Sequence, residues 1–229
     1  VIVKDVDENG NIVDVKMKIT EKHTYKLLVE GNDDQHVIWS FCQHHQLAEN
    51  FDVIDCNSIE NVLGQLKTRL SNPSAHQRIG IVIDADVDLN KRKAQILEVL
   101  RQSQKYNCTD CEWPASGLIL KPIDSYDATI GIWIMPDNNI NGMLEDFIIS
   151  LAPEADPLMQ KAESILNELE ESQIQQYKSV HRSKAKIHTF LAWQDEPGKP
   201  MGTAITAKIL NPNSEHAEVF VHWIKQLFT

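Results

Sequence analysis

The chain has 229 residues, of which 42% are hydrophobic and 24% are charged. This is the composition of an ordinary globular protein, and it excludes a disordered chain, a collagen-like fibre and a low-complexity array. Acidic residues outnumber basic residues 33 to 22, which gives a formal net charge of −11. A protein that coats nucleic acid with a broad basic surface is therefore not expected, whereas a nuclease that uses metal ions and a local basic strip is compatible with this charge.

The sequence contains no signal for a membrane or for secretion. No apolar stretch reaches the roughly 18 to 20 residues that a membrane span needs, and the N-terminus lacks the basic region and apolar core of a secretion signal. The four cysteines are too few for a disulfide scaffold. Cys108 and Cys111 form one C-x-x-C pair, without the second pair that would complete a zinc site. We therefore expect a protein of the reducing cytoplasm, with no membrane partner.

In chain order, residues 1–20 predict a β-hairpin, because residues 11–20 alternate apolar and polar side chains after a Glu-Asn-Gly-Asn turn. An alternation of strands and helices follows. Short apolar runs predict strands at 25–29, 51–55, 79–83, 118–120 and 129–135. Helical spacing predicts helices at 33–46, at 59–70 with Ser58 as its cap, and at 91–103, while 105–116 has loop composition.

The remainder of the chain is predicted to be mainly helical, with helices at 141–151, 155–175, 178–192 and 213–227. Strands that alternate with helices indicate an α/β fold with a mainly parallel central sheet flanked by helices. We predict one compact domain over residues 1–229. It comprises a hairpin extension at 1–20, an α/β core at 24–136 and a helical C-terminal portion at 137–229.

Acidic residues follow two of the predicted strands at the point where each strand ends. Glu30 follows the first strand, with Asp34 about one turn into the next helix, and Asp84 and Asp86 follow the third. The C-terminal ends of parallel strands share the edge where ligands bind, and alternation along a strand would point Asp84 and Asp86 to the same side. These carboxylates are therefore predicted to converge, and a divalent cation would offset their mutual repulsion.

A structural explanation of the same acids stays open. Acidic side chains are favoured at helix N-termini, and Asp33, Asp34, Asp86 and Asp88 all come shortly before or within the first turn of a predicted helix. The combination of Glu-Gly-x-x-Asp with Asp-x-Asp, each directly after an apolar strand, favours a functional site over helix capping alone.

Two segments carry a family resemblance: Leu-Leu-Val-Glu-Gly-Asn-Asp-Asp at 27–34 and Ile-Val-Ile-Asp-Ala-Asp at 81–86. They resemble the acidic motifs of TOPRIM domains, the fold shared by topoisomerases, bacterial primases and OLD-type nucleases. The likeness covers about residues 24–228. It is greatest to an uncharacterised TOPRIM-related bacterial family, in which segments like 131–138 and 142–146 follow. The resemblance implies a TOPRIM-like Rossmannoid core.

The resemblance also implies roles for particular residues. Glu30, Asp84 and Asp86 match the TOPRIM acids that carry out divalent-metal or acid–base chemistry on phosphodiesters. OLD-type nucleases add an Asp four residues after the Glu, here Asp34, and a later Glu, for which Glu145 is the candidate. Together these five acids would hold Mg²⁺ or Mn²⁺.

The chain departs from the family pattern in two respects. Asp-x-Asp continues with Val87-Asp88-Leu89 instead of x-x-Gly, and no P-loop ATPase motif is present. The whole-protein activities of topoisomerases and primases are therefore not expected.

One basic strip occurs in this acidic chain, at residues 178–188, which contain four permanent cations and no acid. Lys184 and Lys186 are the candidates for a catalytic or phosphate-binding cation. The alternative is a solvated helix face whose opposite side packs through Ile187 and Leu191.

These observations favour a Mg²⁺-dependent phosphodiester or phosphoryl-transfer hydrolase that is nuclease-like and has nucleic acid as its partner. The alternative function is a non-catalytic binding or regulatory module of the same fold. Binding of Mg²⁺ or Mn²⁺ at millimolar concentration distinguishes the two.

Overall fold

The computed structural model describes residues 2–6, 12–16, 21–72, 77–108 and 111–229. β1 (Ile2–Val6) and β2 (Ile12–Lys16) pair antiparallel, from Ile2 opposite Lys16 to Val6 opposite Ile12. This is the predicted N-terminal hairpin. Its predicted turn, the end of its second predicted strand, and residues 109–110 of the predicted loop lie outside the described residues.

In the described part of the chain, five further strands form one sheet: β3 (Tyr25–Val29), β4 (Phe51–Asp55), β5 (Arg78–Asp84), β6 (Leu118–Leu120) and β7 (Thr129–Met135). Their order is β4-β3-β5-β7-β6. The first four strands of this order run parallel, and β6 is antiparallel to β7 at the edge. The predicted α/β fold with a mainly parallel sheet is therefore confirmed.

The helices occupy the segments that the sequence predicts, with end shifts of a few residues. In the described residues they are α1 (Asn32–His44), α2 (Ile59–Ser71), α3 (Leu89–Ser103), α4 (Leu144–Ser150), α5 (Pro157–Glu171), α6 (Arg182–Ala192), α7 (Met201–Thr206) and α8 (Glu215–Phe228). The predicted helix at 178–192 begins with a 3₁₀ turn, Ser179–His181. The short helix α7 was not predicted. No helix in these residues is both long and apolar enough to cross a bilayer.

Side-chain alternation along the strands divides the core into two layers. Leu27 and Trp133 project toward α1 and the C-terminal helices, where they meet Phe220 of α8. Leu28 and Ile81 project to the opposite face and pack under α2 and α3. A parallel strand covered by helices on both faces needs an unbroken apolar run, which explains the sequence of β3 and β5. The helical C-terminal portion thus shares a core with the sheet.

α7 lies very close to α1, the helix that carries Asp34. The contact depends on Gly202, because a Cβ atom at that position would be 2.7 Å from the His36 carbonyl oxygen and 3.0 Å from Ser40 Oγ. Backbone atoms at this distance cannot move aside cheaply. The close approach therefore requires glycine at position 202.

Candidate functional site

Four acidic side chains are close enough to interact electrostatically at the C-terminal edge of the sheet: Glu30, Asp34, Asp84 and Glu145. They are called the acid cluster below. Burial, followed by the charges of Glu30 and Glu145, raises the pKa of Asp34 to about 8. Burial, followed by the charges of Asp34, Glu30 and Glu145, raises the pKa of Asp84 well above its usual value. The repulsion among these carboxylates is therefore only partly offset within the protein.

Hydrogen bonds to backbone amides fix two members of the acid cluster. Glu30 directly follows β3, and its Oε1 accepts from the Asp84 amide at 2.8 Å. Asp84 ends β5, and its Oδ1 accepts from the Leu144 amide at 2.8 Å. These bonds join the ends of two neighbouring strands to the start of α4. The site is thereby held by three separate elements.

Asp34 lacks such a bond on one of its oxygens. α1 begins at Asn32, directly after Gly31, so Asp34 lies in the first helical turn and faces inward. Its residue is 6% exposed. In the described part of the chain, Asp34 Oδ1 is buried and has no hydrogen-bond partner. An oxygen in this state is costly unless a ligand or ion completes it.

One lysine faces the acid cluster. Lys184 of α6 pairs with Glu145 at 2.9 Å, and Glu145 is only 4% exposed. The hydrogen bond with Glu145 is the main cause that raises the pKa of Lys184, and the charges of Asp33 and Asp84 add to it. The helical C-terminal portion therefore supplies both the fourth acid and a cation.

Lys186, the other predicted cation, lies elsewhere. Its Nζ pairs with Glu163 of α5 at 2.8 Å, and Arg182 pairs with the same glutamate at 2.7 Å. These two cations lower the pKa of Glu163 to about 2. Positions two apart on a helix are separated by about 200°, so Lys184 and Lys186 cannot face the same site. Two of the four cations of the basic strip, Arg182 and Lys186, therefore join α6 to α5.

Asp86 lies beside the acid cluster: after burial, its charge is one of the causes that raise the pKa of Glu30, but its carboxylate pairs with Arg92. The expectation that it points the same way as Asp84 required the strand to continue, whereas β5 ends at Asp84 and Asp86 has a left-handed backbone with φ of 54°. Its side chain is 43% exposed, and its Oδ2 pairs with Arg92 Nη2 at 2.5 Å. Period-two alternation therefore does not apply at this residue.

The donor set of the acid cluster suits a hard divalent cation. Carboxylate oxygens select Mg²⁺ or Mn²⁺ over zinc, and the unpartnered Asp34 oxygen is the kind of atom that such an ion would complete. Among the described residues, however, no three His, Cys, Asp or Glu side chains are already arranged to hold a metal ion. Glu30 and Asp84 each turn one oxygen to a backbone amide. The chemistry of the residues fits an ion, and a change of their side-chain positions would be needed to bind it.

A groove of about 830 Å³ lies apart from these acids, along α1 and the edge strand β4. Its lining includes Trp39, Cys42, Leu47 and Phe51, and it contains no member of the acid cluster. This groove is therefore not the site that the sequence motifs predict.

Comparison with known families identifies the chain at the level of family. The model for "Protein of unknown function (DUF3226)" matches residues 24–229. The chain belongs to this family. The matched region of this DUF3226 protein begins one residue before β3, so it includes the whole acid cluster and leaves out the N-terminal hairpin. Membership of an uncharacterised family was expected from the two acidic motifs, and it is confirmed.

The DUF3226 protein is similar to solved structures of the C-terminal region of the Xanthomonas campestris pv. campestris OLD protein. The form phased with mercury has a TM-score of 0.43 and 12% identity, over 89% of this chain and 95% of that chain. The form phased with iodine has a TM-score of 0.41 and 13% identity over the same shares. No curated protein matches the chain.

One residue at the site, Arg92, was not singled out from the sequence. It is buried in the first turns of α3 and contacts both Asp84 and Asp86. A usable signal was present, because Arg92 lies four residues before Ile96 and eight before Leu100, on the inward face of the helix. An arginine at an apolar helix position is buried only when it has partners.

Proposed function

We propose that this DUF3226 protein is a Mg²⁺- or Mn²⁺-dependent phosphodiester or phosphoryl-transfer hydrolase, nuclease-like and of the TOPRIM type, with nucleic acid as its substrate. The observation that carries the proposal is the acid cluster itself. Asp34 is buried, and Glu30 and Asp84 are partly buried beside it, at the C-terminal edge of the parallel sheet. No described lysine, arginine or histidine forms an ion pair with any of these three acids. A fold does not retain such repulsion without a compensating partner.

Glu30, Asp34, Asp84 and Glu145 would hold the ion. When bound, a divalent cation polarises a phosphate and lowers the pKa of a coordinated water. Because burial and the charges of Glu30 and Glu145 raise the pKa of Asp34 to about 8, the ion-free cluster retains a proton at neutral pH. Ion binding would therefore release protons, and its affinity would increase with pH.

Lys184 would supply the fixed positive charge. Its ammonium group already contacts Glu145 at the edge of the acid cluster, so it is positioned to pair with a phosphate oxygen as negative charge develops there. The role of Lys186 as a catalytic or phosphate-binding cation stays a prediction, because Lys186 pairs with Glu163 and not with a member of the acid cluster.

The test is a cleavage assay with labelled single-stranded DNA, duplex DNA and RNA in Mg²⁺ or Mn²⁺. Asp84→Asn and Glu30→Gln should each reduce the rate at least about 100-fold, because each removes an anionic oxygen from the acid cluster. Asp195→Asn, at an exposed site on another part of the chain, is the matched control and should cleave normally. Circular dichroism would establish that all variants are folded. Cleavage retained by both cluster variants would overturn the proposal.

The non-catalytic binding module remains the second candidate, and two observations favour it. Lys184 and Arg92 already neutralise Glu145 and Asp86, and the described residues contain no preformed three-ligand metal group. Calorimetry with Mn²⁺ separates the two functions. The absence of binding at millimolar concentration would favour the module.

A further inference from the structure

Arg92 holds the turn that carries Asp84. Its Nε donates to the Asp84 carbonyl oxygen at 2.7 Å, its Nη2 donates to Asp86 Oδ2 at 2.5 Å, and its Nη1 donates to Gln95 Oε1 at 3.0 Å. The guanidinium is a planar group whose donors have a fixed geometry. Its contacts to Asp84 and Asp86 therefore fix the relative position of the two residues.

The backbone on either side of this contact is also constrained. Asp86 exchanges two 2.8 Å hydrogen bonds with Gly142, one in each direction, which tie the turn to the loop before α4. Asp84 is held at its amide, at its carbonyl oxygen and at its carboxylate, by Glu30, Arg92 and Leu144 respectively. Arg92 is thus one of three groups that hold Asp84, and Asp86 is hydrogen-bonded to the same guanidinium.

The charge of Asp86 acts on Glu30. Burial raises the pKa of Glu30, the charge of Arg92 opposes this and the charge of Asp86 adds to it. The pKa of Asp84 is raised by burial and by the charges of Asp34, Glu30 and Glu145, and Asp86 is not among its main causes. The carboxylate of Asp86 is directed to Arg92 and is partly in solvent, whereas Asp34 is buried. A residue with a strong cationic partner on the outer side of the turn is poorly placed to be a metal ligand.

We propose that Arg92 and Asp86 are positioning residues: Asp86 holds the Arg92 guanidinium, and Arg92 sets the position of Asp84 for ion binding. The second acid of Asp-x-Asp then acts through Arg92 and not as a ligand. This inference rests on the proposed function for its metal site, and it assigns to Arg92 a role that the sequence motifs do not include.

The test compares two substitutions at position 86 by calorimetry with Mn²⁺ alone. Asp86→Asn keeps an acceptor for Arg92 Nη2 and should leave the dissociation constant within about threefold of the original chain. Asp86→Ala and Arg92→Gln should each weaken binding about tenfold or more, the usual effect of removing a residue that orients a ligand. Asp84→Asn, which removes a ligand, should weaken it further. A metal ligand at position 86 would instead make Asp86→Asn as severe as Asp86→Ala, and that result would overturn the proposal.

The matched control is a second part-buried ion pair, Lys105 with Asp127 at 2.5 Å. Asp127→Asn and Asp127→Ala should both leave Mn²⁺ affinity unchanged. If the original chain binds no Mn²⁺, the proposed function fails. The joint action of Asp86 and Arg92 is then tested by the free energy of urea unfolding of Asp86→Ala, of Arg92→Gln and of the double variant. Losses of stability that are not additive would support a joint action of Asp86 and Arg92, and additive losses would overturn it.

Discussion

Asp34 shows how a single side chain reflects the chemistry of the whole site. An aspartate in the first turn of a helix ordinarily remains ionised, because the helix dipole favours negative charge there. At Asp34, burial and the charges of Glu30 and Glu145 outweigh the dipole and the helix amides, and they raise its pKa to about 8. Helix capping alone therefore does not explain this residue.

The raised pKa predicts how stability depends on pH. Between about pH 4 and pH 8 the folded chain keeps a proton on Asp34 that the unfolded chain releases, so the free energy of unfolding falls as pH rises through this range. Asp34→Asn removes the titrating group, and it should lose less stability than the original chain between pH 5 and pH 8. A tenfold change in proton affinity corresponds to about 1.4 kcal/mol, so we expect a difference of at least about 1 kcal/mol.

Urea unfolding at pH 5 and pH 8 measures this difference. Asp195→Asn, at an exposed position, should keep the pH dependence of the original chain. Equal pH dependence in Asp34→Asn and in the original chain would show that Asp34 is ionised throughout this range.

The two candidate lysines should differ in their effect on stability. Lys184→Met leaves Glu145 buried without a cation, and we expect a loss of about 1 to 2 kcal/mol, which allows for the solvent screening of the half-exposed lysine. Lys186→Met leaves Glu163 with its other partner, Arg182, so its loss should be under about 1 kcal/mol. Thermal unfolding of both variants at neutral pH compares them, and a larger loss in Lys186→Met would contradict the assignment.

The sequence was sufficient to place Glu30, Asp34 and Asp84 at one edge, because the topology of a parallel sheet brings the ends of its strands together. It was not sufficient for Asp86 or for the choice between the two lysines. The direction of the Asp86 side chain depends on one left-handed backbone angle. The partner of each lysine depends on how α6 is rotated against α4 and α5. Neither quantity can be derived from apolar periodicity.

At the scale of elements, long periodic segments were predictable, whereas the short helix α7 was not. α2 and α3 each present apolar residues over several turns, and Ser58 caps α2 as expected. α7 has six residues after a Pro-Gly-Lys-Pro segment, which is too short to display a period of 3.6. Its existence depends on packing against α1, and packing between distant segments cannot be read from local sequence.

Replacement of two helical glycines by alanine should change the free energy of unfolding in opposite directions. Gly202→Ala would push α7 away from α1, since its Cβ would meet the His36 carbonyl oxygen at 2.7 Å, and we expect a loss of about 1 to 3 kcal/mol. Gly64 lies within α2 with no atom within 4 Å of such a Cβ, so Gly64→Ala should gain about 0.5 to 1 kcal/mol from helix propensity. Urea unfolding measures the change in the free energy of unfolding of each variant. A loss of stability in both variants would show that α2 requires glycine at position 64.

At the scale of the whole molecule, the N-terminal hairpin should be dispensable for the stability of the remaining chain. The family match begins at residue 24, and a chain that begins at Glu21 keeps the ion pairs of Glu21 with Lys26 and Arg69. We expect its unfolding free energy to stay within about 1 kcal/mol of the longer chain.

A chain that begins at Tyr25 is the matched comparison. It also loses the backbone amides of Lys22 and His23 that bind Asp52, and it leaves the buried Lys26 with fewer acceptors. It should be less stable than the chain that begins at Glu21. Equal losses in the two shortened chains would show that the hairpin, and not residues 21–24, supports the core.

The contribution of Glu145 and Lys184 from late in the chain has a consequence for biosynthesis. A ribosome adds about 5 to 20 residues per second, so the 100 residues between Asp84 and Lys184 take roughly 5 to 20 seconds to translate. During that interval the nascent polypeptide carries the early acids without their lysine. A product terminated before Lys184 would therefore lack the cation proposed to act on phosphate, and it would not be competent for the proposed hydrolysis.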